Sequence, residues 1–132
     1  MKKIAFTAIL LTILACGPVR AEDGRGVIVQ VTDEPKLNMA LTNAINTTKM
    51  MPGVPLEVVV YGPAISTLTA ETTYAQKIDA AREHGVHIVA CEASMKGNHL
   101  ARADMYPGLD YVPFGLTEIV QRQFRGWAYA RP

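Results

Sequence analysis

The amino-acid sequence predicts one α/β domain built around a mostly parallel β-sheet. Short runs rich in valine and isoleucine alternate with segments whose apolar residues recur every three or four positions. Glycine and proline separate most of these segments. Strands that alternate with amphipathic helices are typical of βαβ units, in which helices cover a parallel sheet. No repeat, low-complexity segment or linker divides the chain, so we expect a single core.

The first two predicted elements are a strand and a long helix. Gly26–Val31 is the strand, and Thr32–Glu34 caps the helix, with Pro35 in its first turn, where a missing N–H does no harm. Apolar residues at alternating steps of three and one then mark one helical face. They are Leu37, Ala40, Leu41, Ala44 and Ile45. Pro52-Gly53 ends this helix.

A second strand, a second helix and a third strand follow. Leu56–Tyr61 is almost continuously apolar, which predicts a strand buried on both faces. Gly62-Pro63 breaks it, and Ala64–Leu68 is expected to form a short helical turn. Another helical stripe comes next, made of Tyr74, Ala75, Ile78 and Ala81. His84-Gly85 ends that helix, and Val86–Ala90 is the third strand.

The last part of the chain predicts two more strands around a final helix. Residues Ser94–Met105 fit either a broken helix or a loop, and Pro107-Gly108 is a turn. Asp110–Phe114 is the fourth strand and Trp127–Tyr129 the last one. An amphipathic helix lies between them and ends at Gly126. Its apolar face is predicted to contain Leu116, Ile119, Val120, Gln123 and Phe124.

The first 21 residues have the pattern of a secretory signal peptide. Lys2 and Lys3 precede an apolar stretch, Ile4–Ala15, which is shorter than the roughly 20 residues of a membrane-spanning helix. Val19-Arg20-Ala21 matches the small-x-small cleavage rule, so we expect cleavage after Ala21 and a soluble periplasmic domain over residues 22–132.

An alternative for this leader is lipid attachment. Ile13–Cys16 resembles a lipobox, which would acylate Cys16 and anchor the protein to a membrane. Leu14 fits that motif poorly, and the segment from Cys16 to Ala21 has the usual length of a cleavage region, so soluble export is favoured. No stretch after Ala21 is long and apolar enough to insert stably into a bilayer.

Charge and missing motifs exclude several classes of function. Cleavage after Ala21 leaves 10 Lys and Arg against 12 Asp and Glu, a formal charge of −2, with no basic stripe for nucleic acid. No dinucleotide-binding or P-loop glycine motif occurs, and the three histidines have no metal-ligand spacing. We therefore expect no cofactor and no metal.

Cys91 is the strongest candidate for a chemically reactive residue. It is the one cysteine left after cleavage at Ala21, and it stands where an apolar strand ends and a helix is expected to begin. The positive end of a helix lowers the pKa of a thiol and favours the thiolate. A lone cysteine in an exported protein is either reactive, bonded to another molecule, or buried and inert.

Five segments resemble, in order and spacing, those of DsrE/DsrF-like proteins. They are Val29–Asp33, Val58–Pro63, Gly85–Met95, Val112–Val120 and Gln123–Tyr129. The resemblance implies a three-layer α/β/α sandwich with a five-stranded sheet that assembles into homo-trimers or hexamers. It also implies a role in sulfur oxidation or sulfur relay, with a persulfide carried on Cys91 between a donor and an acceptor protein. The best-known relay members work in the cytoplasm, whereas this chain is predicted to be exported.

Two hypotheses follow for the function. In the first, Cys91 carries or transfers sulfane sulfur, Gly62 and Gly115 let the ligand approach the backbone, and Ser94 donates a hydrogen bond to the thiolate. Glu92 would oppose that anion if its carboxylate turned inward, and Asn43 is a candidate for the cleft wall. In the second, the chain is a non-catalytic oligomeric module that binds a small ligand or a partner, and Cys91 is buried.

Overall fold

The computed structural model describes residues 25–132, which form three layers with a parallel sheet in the middle. The predicted signal peptide over residues 1–21 and the alternative lipid attachment at Cys16 lie outside these residues. Among the described residues, no helix has both the length and the apolar character needed to cross a bilayer.

All five predicted strands are present, and each pairs with its neighbours in parallel. They are β1 (Val27–Val31), β2 (Leu56–Val60), β3 (Val86–Cys91), β4 (Asp110–Val112) and β5 (Ala128–Ala130). Their order across the sheet is β4-β3-β2-β1-β5. The predicted five-stranded, mostly parallel sheet is therefore confirmed.

Four α-helices connect these strands, and each begins close to where the sequence pattern places it. They are α1 (Leu37–Met50), α2 (Ala75–Glu83), α3 (Glu92–Gly97) and α4 (Gly115–Phe124). Short 3₁₀ helices occupy Glu34–Lys36, Gly62–Leu68 and Arg102–Asp104. The broken-helix alternative for the segment after Cys91 is the correct one, because α3 starts directly at Glu92 and ends at Gly97.

The two faces of the sheet are covered unequally. The apolar sides of α1 and α2 pack with one face of β1, β2 and β3 into the larger of two buried clusters. On the other face, Ile28, Val59 and Val89 pack with Ile119 of α4 and with Trp127 in a smaller cluster. A single helix on that face cannot cover five strands, so part of it is open to solvent.

Strand β2 is buried along its whole length, as its apolar run predicts. It also carries one acid, Glu57, whose side chain faces α4 and forms an ion pair with Arg122. A side chain points to alternate faces at each position of a strand. Since Val89 belongs to the smaller cluster, Cys91, two residues further along β3, faces α4 as well.

Helix α4 is less buried than its apolar pattern predicts. Ile119 packs into the core, but Leu116 is 57 % exposed, Val120 39 % and Phe124 88 %. The predicted amphipathic helix is present, but only part of its apolar face is covered by the core. Leu116, Val120 and Phe124 follow at four-residue spacing and form one stripe on a flank of the helix, which we call the α4 stripe. An amphipathic pattern predicts that one face of a helix is covered. It does not show whether the protein's own core or another molecule covers that face.

Candidate functional site

Cys91 lies at the junction that the sequence predicts. It is the last residue of β3 and the N-cap of α3, with an extended backbone (φ −82°, ψ 115°). The first four N–H groups of a helix have no partner within the helix. The thiol therefore stands beside the positive end of α3.

Ser94 is fixed in the first turn of α3 by a contact from the neighbouring strand end. The backbone N–H of Gly62 donates a hydrogen bond of 2.8 Å to Ser94 Oγ. Gly62 has a positive φ of 62°, a conformation that glycine adopts without strain. Because Oγ already accepts this bond, the Ser94 hydroxyl proton is free to point at Cys91, where the hydroxyl lowers the pKa of the thiol.

The start of a second helix, α4, also reaches the thiol. Gly115, the first residue of α4, presents its N–H to Cys91. A Cβ at this position would stand 3.0 Å from Cβ of Tyr61, so only glycine lets the helix come this close without displacing the tyrosine. Two helix starts and one serine hydroxyl thus converge on one sulfur.

The pKa of Cys91 is set by two opposing influences. Burial raises it, but the Ser94 hydroxyl and the backbone N–H groups of Gly115, Ser94 and Ala93 stabilise the thiolate and outweigh burial. The net pKa lies below that of an ordinary cysteine. Of these donors, Ala93 is the least free, since its N–H also donates to the carbonyl of Pro113 at 3.1 Å.

The sulfur is covered in the single chain. Cys91 is only 4 % exposed, and its Sγ lies 4.0 Å from the carbonyl oxygen of Pro113. The covering is thin, because Pro113 and Phe114 are themselves exposed. The environment of the sulfur is nevertheless polar, with hydrogen-bond donors on two sides.

A short chain of polar side chains continues from this site across the sheet. Gln30 Nε2 donates to the hydroxyl of Tyr61 at 2.7 Å, and the hydroxyl of Tyr129 donates to Gln30 Oε1 at 2.5 Å. Burial raises the pKa of Tyr61, the neighbouring Tyr129 and Cys91 raise it further, and Arg131 lowers it. Tyr61 is therefore a neutral neighbour of the thiol.

The structure brings Gly62, Ser94 and Gly115 to Cys91 but places the other two candidates elsewhere. Asn43 is exposed on α1, which packs on the opposite face of the sheet, and it lines a groove with Thr47 and Ala130. The carboxylate of Glu92 turns away from the thiol and accepts a 2.9 Å hydrogen bond from Arg102 Nε.

Within residues 25–132, no group of three His, Cys, Asp or Glu side chains is arranged to hold a metal ion. Tyr61 and the covering segment at Pro113 were not predicted as parts of the site. Tyr61 directly follows the second strand, and the carboxyl ends of neighbouring parallel strands share one edge of a sheet. That rule could have placed Tyr61 near Cys91 from the sequence. Nothing in the sequence pattern shows which loop folds over the sulfur.

Comparisons with known proteins agree with this architecture. The chain matches the DsrE/DsrF-like family over residues 26–130. A solved structure of a protein of unknown function, MTH1491 from Methanobacterium thermoautotrophicum, is 30 % identical, with a TM-score of 0.74 over 83 % of this chain and 100 % of that one.

Two further solved structures share the fold at lower identity. The protein of unknown function BT1422 from Bacteroides thetaiotaomicron is 15 % identical, with a TM-score of 0.68 over 88 % of this chain and 100 % of that one. The ychN protein from E. coli is 12 % identical, with a TM-score of 0.64 over 82 % and 99 %. No curated protein matches the chain.

Proposed function

We propose a function from one established premise: this chain belongs to the DsrE/DsrF-like family. That membership favours a role of the sulfur-relay type. The specific proposal is that Cys91 accepts a sulfane sulfur atom, holds it as a persulfide and passes it to an acceptor thiol. Whether the protein acts as a carrier or as a transferase depends on turnover, and both use the same bond chemistry.

One observation carries this proposal, the contact in which Gly62 orients Ser94 toward the thiol. A serine whose oxygen is already occupied by a 2.8 Å backbone hydrogen bond presents its proton to Cys91, and that proton stabilises an anion. An inert core cysteine needs no such donor, since the neutral thiol behaves as a small apolar group. These contacts outweigh burial and lower the pKa of Cys91 below that of an ordinary cysteine, which favours the thiolate form that such chemistry needs.

The proposed transfer is balanced without any oxidant or reductant. The Cys91 thiolate attacks the outer sulfur of a donor persulfide, a new S–S bond forms on Cys91, and the donor's S–S bond breaks. The donor leaves as a thiolate and takes up a proton from water. The reverse sequence delivers the sulfur to an acceptor thiolate.

The burial of Cys91 favours the hypothesis of a non-catalytic binding module. It also defines what the sulfur-carrier hypothesis requires. A thiol that is 4 % exposed cannot be attacked by a donor unless the covering residues around Pro113 move. If they do not move, the chain is a binding module that uses its fold and surfaces without thiol chemistry.

The deciding experiment measures Cys91 directly in the native protein. We expect alkylation by iodoacetamide to follow an apparent pKa below that of free cysteine, because Ser94 and the helix N–H groups stabilise the thiolate. We also expect polysulfide treatment to add about 32 Da, one sulfur atom, to the intact mass. Cys91→Ser should lack both signals.

Native protein that resists alkylation until it is unfolded, and that gains no sulfur, would contradict the carrier proposal. In that case the binding module is the better account. It predicts that Cys91→Ser keeps the full ligand- or partner-binding function of the parent protein, because the thiol takes no part in that function.

We further propose that copies of the chain associate through the α4 stripe, as a homo-trimer or hexamer. Leu116, Val120 and Phe124 expose a continuous apolar flank next to Phe114, which is 61 % exposed. Contiguous apolar patches of this kind typically mark interaction surfaces. Since Phe114 adjoins Gly115, a neighbouring copy on this flank would lie close to the cover of Cys91.

The double variant Leu116→Ser/Phe124→Ser is expected to run as a monomer, because the apolar area that drives association is removed. Light scattering after size-exclusion chromatography measures the mass. Met50→Ser is the matched control, because Met50 is 82 % exposed on α1 and should leave the assembly intact. A monomeric parent protein at micromolar concentration, or an unchanged mass in the double variant, would rule this interface out.

A further inference from the structure

An open groove of about 500 Å³ lies on the α4 face of the sheet, over the half that α4 does not cover. Val89 and Val112 lie along it on β3 and β4, and five polar side chains surround its outer end. These are Glu57, His87, Asp110, Glu118 and Arg122. The α4 stripe is on the opposite flank of the helix from Glu118, so association through that stripe leaves the groove open.

The register of β3 and β4 places one end of this groove next to Cys91. Val112 is the direct partner of Cys91, and Val89 stands two residues before it on the same face of β3. Asp110 pairs with Val89, so it lies about 7 Å along the strands from the row of Cys91. The apolar floor therefore begins beside the covered thiol and ends at charged groups.

Most of those charged groups are acidic. Arg122 is already held between two carboxylates, with 2.5 Å to Glu57 and 2.7 Å to Glu118, and its guanidinium stacks over Trp127 at 4.5 Å. Asp110 lies 2.8 Å from Nδ1 of His87, and both side chains are more than half exposed. Three carboxyl groups thus share one arginine and one histidine, so acidic side chains outnumber basic ones at this end of the groove.

From this geometry we propose that the groove binds the organic part of the sulfur donor or acceptor, and that this part is a small thiol bearing a primary amine. A disulfide with a two-carbon link to an ammonium group has about the length of two residues of extended chain, which is the separation between the rows of Cys91 and Asp110. The two valines would pack on the carbon link, and Asp110 and Glu118 would face the ammonium group. This inference rests on the proposed reactivity of Cys91.

The test compares three disulfides of similar length as probes of Cys91. They are cystamine, bis(2-hydroxyethyl) disulfide and 3,3′-dithiodipropionate, which carry positive, zero and negative charge. In each reaction the Cys91 thiolate attacks one sulfur, a mixed disulfide forms, and the other half leaves as a thiolate. Rates are divided by those of free N-acetylcysteine with the same probe, which removes differences in leaving group.

We expect the normalised rate to be highest for cystamine and lowest for the dicarboxylate. Asp110→Asn and Glu118→Gln should each lower the ratio of the cystamine rate to the neutral-probe rate about threefold, since each removes one partly solvated charge. Asp79→Asn is the matched control, because Asp79 is 49 % exposed on α2, on the other side of the sheet, and its loss should change neither rate.

A second measurement is independent of thiol reactivity. Trp127 is the one tryptophan in the chain and lines the groove, and a disulfide is an efficient quencher of indole fluorescence. In Cys91→Ser, cystamine should quench this fluorescence with a saturable curve. Adding Asp110→Asn to that variant should raise the cystamine concentration needed for half-maximal quenching.

Equal normalised rates for all probes, or a linear quenching curve with no saturation, would overturn the groove proposal while Cys91 remains a reactive thiol. Failure of Cys91 to react with any probe, together with unsaturable quenching, would overturn both proposals. Saturable quenching without reaction at Cys91 would keep the groove as an amine-binding site and remove the sulfur transfer.

Discussion

Arg122→Met is expected to lower the free energy of unfolding by about 3 kcal/mol at pH 7, because it leaves a buried carboxylate without its partner. Glu57 is the second residue of the fully buried strand β2, and its side chain is 9 % exposed. Arg122 is its ion-pair partner at 2.5 Å and also binds Glu118 at 2.7 Å. Methionine keeps much of the contact with Trp127 but compensates neither negative charge.

The pH dependence of this loss has a definite sign. Burial raises the pKa of Glu57, and Arg122 is the main group that lowers it again, so the substitution raises the pKa further. Above the unfolded value near 4.3, the native state then holds a proton that the unfolded chain has released. The variant therefore loses stability as pH rises from about 4 through the folded pKa of Glu57, and its deficit against the parent protein shrinks toward acid pH.

Urea unfolding at several pH values measures the deficit. Arg131→Met is the control, because Arg131 pairs with Asp33 at 3.6 Å with both side chains more than half exposed, and its loss should change stability by less than about 1 kcal/mol. The double variant Glu57→Leu/Arg122→Met should recover most of the loss, since it removes the unpaired charge together with its partner. A small deficit for Arg122→Met that does not vary with pH would show that Glu57 is solvated in solution.

This ion pair also shows where sequence patterns stop being informative. The pattern of β2 predicts burial on both faces, and Glu57 is buried as that predicts, although it is the one charged residue in the strand. Its partner is 65 residues away in the chain, on a helix whose position above the sheet no local pattern encodes. The need for a partner follows from the sequence, but the identity of the partner follows only from the fold.

The site around Cys91 also has some residues that the sequence predicts and others that only the fold identifies. The rule that parallel strands bring their carboxyl ends to one edge predicts Gly62 and Cys91 together, and the helix expected after Cys91 predicts Ser94 as a donor. The structure brings all three into one site, with Gly62 donating to Ser94. The prediction for Asn43 rests on its position along α1 alone. Since α1 packs on the face opposite to Cys91, the missing information was the side of the sheet on which each helix lies.

Burial of the α4 residues was the other point that the pattern left open. The three- and four-residue spacing correctly predicts a helix with an apolar face in the segment Gly115–Phe124, but it does not show that Leu116 and Phe124 stay exposed in the single chain. Apolar residues at this spacing form a surface whose removal from water is favourable. A neighbouring copy can bury that surface as well as the sheet can. The proposed assembly through the α4 stripe accounts for the same residues without a larger core.

Ser94→Ala is expected to reduce the alkylation rate of Cys91 about tenfold at a pH below its pKa. A hydrogen bond to a charged group contributes about 1.5 to 3 kcal/mol, and 1.4 kcal/mol is a factor of ten in the thiolate population. The substitution also leaves the N–H of Gly62 without its 2.8 Å acceptor, which loosens the strand end beside the thiol. The apparent pKa of Cys91 should therefore rise toward that of a free cysteine.

The complete pH profile of alkylation separates this effect from a change in access. If Ser94 acts on the thiolate, the profile of Ser94→Ala moves to higher pH and the rate at its alkaline plateau changes little. Ser94→Thr keeps the hydroxyl and should restore most of the parent profile. Ser66→Ala is the matched control, because Ser66 makes a similar side-chain bond of 3.0 Å, to the carbonyl of Pro63, in the segment after β2. An unshifted profile for Ser94→Ala, or a plateau that rises while the midpoint stays fixed, would mean that the serine only covers the sulfur and does not stabilise its anion.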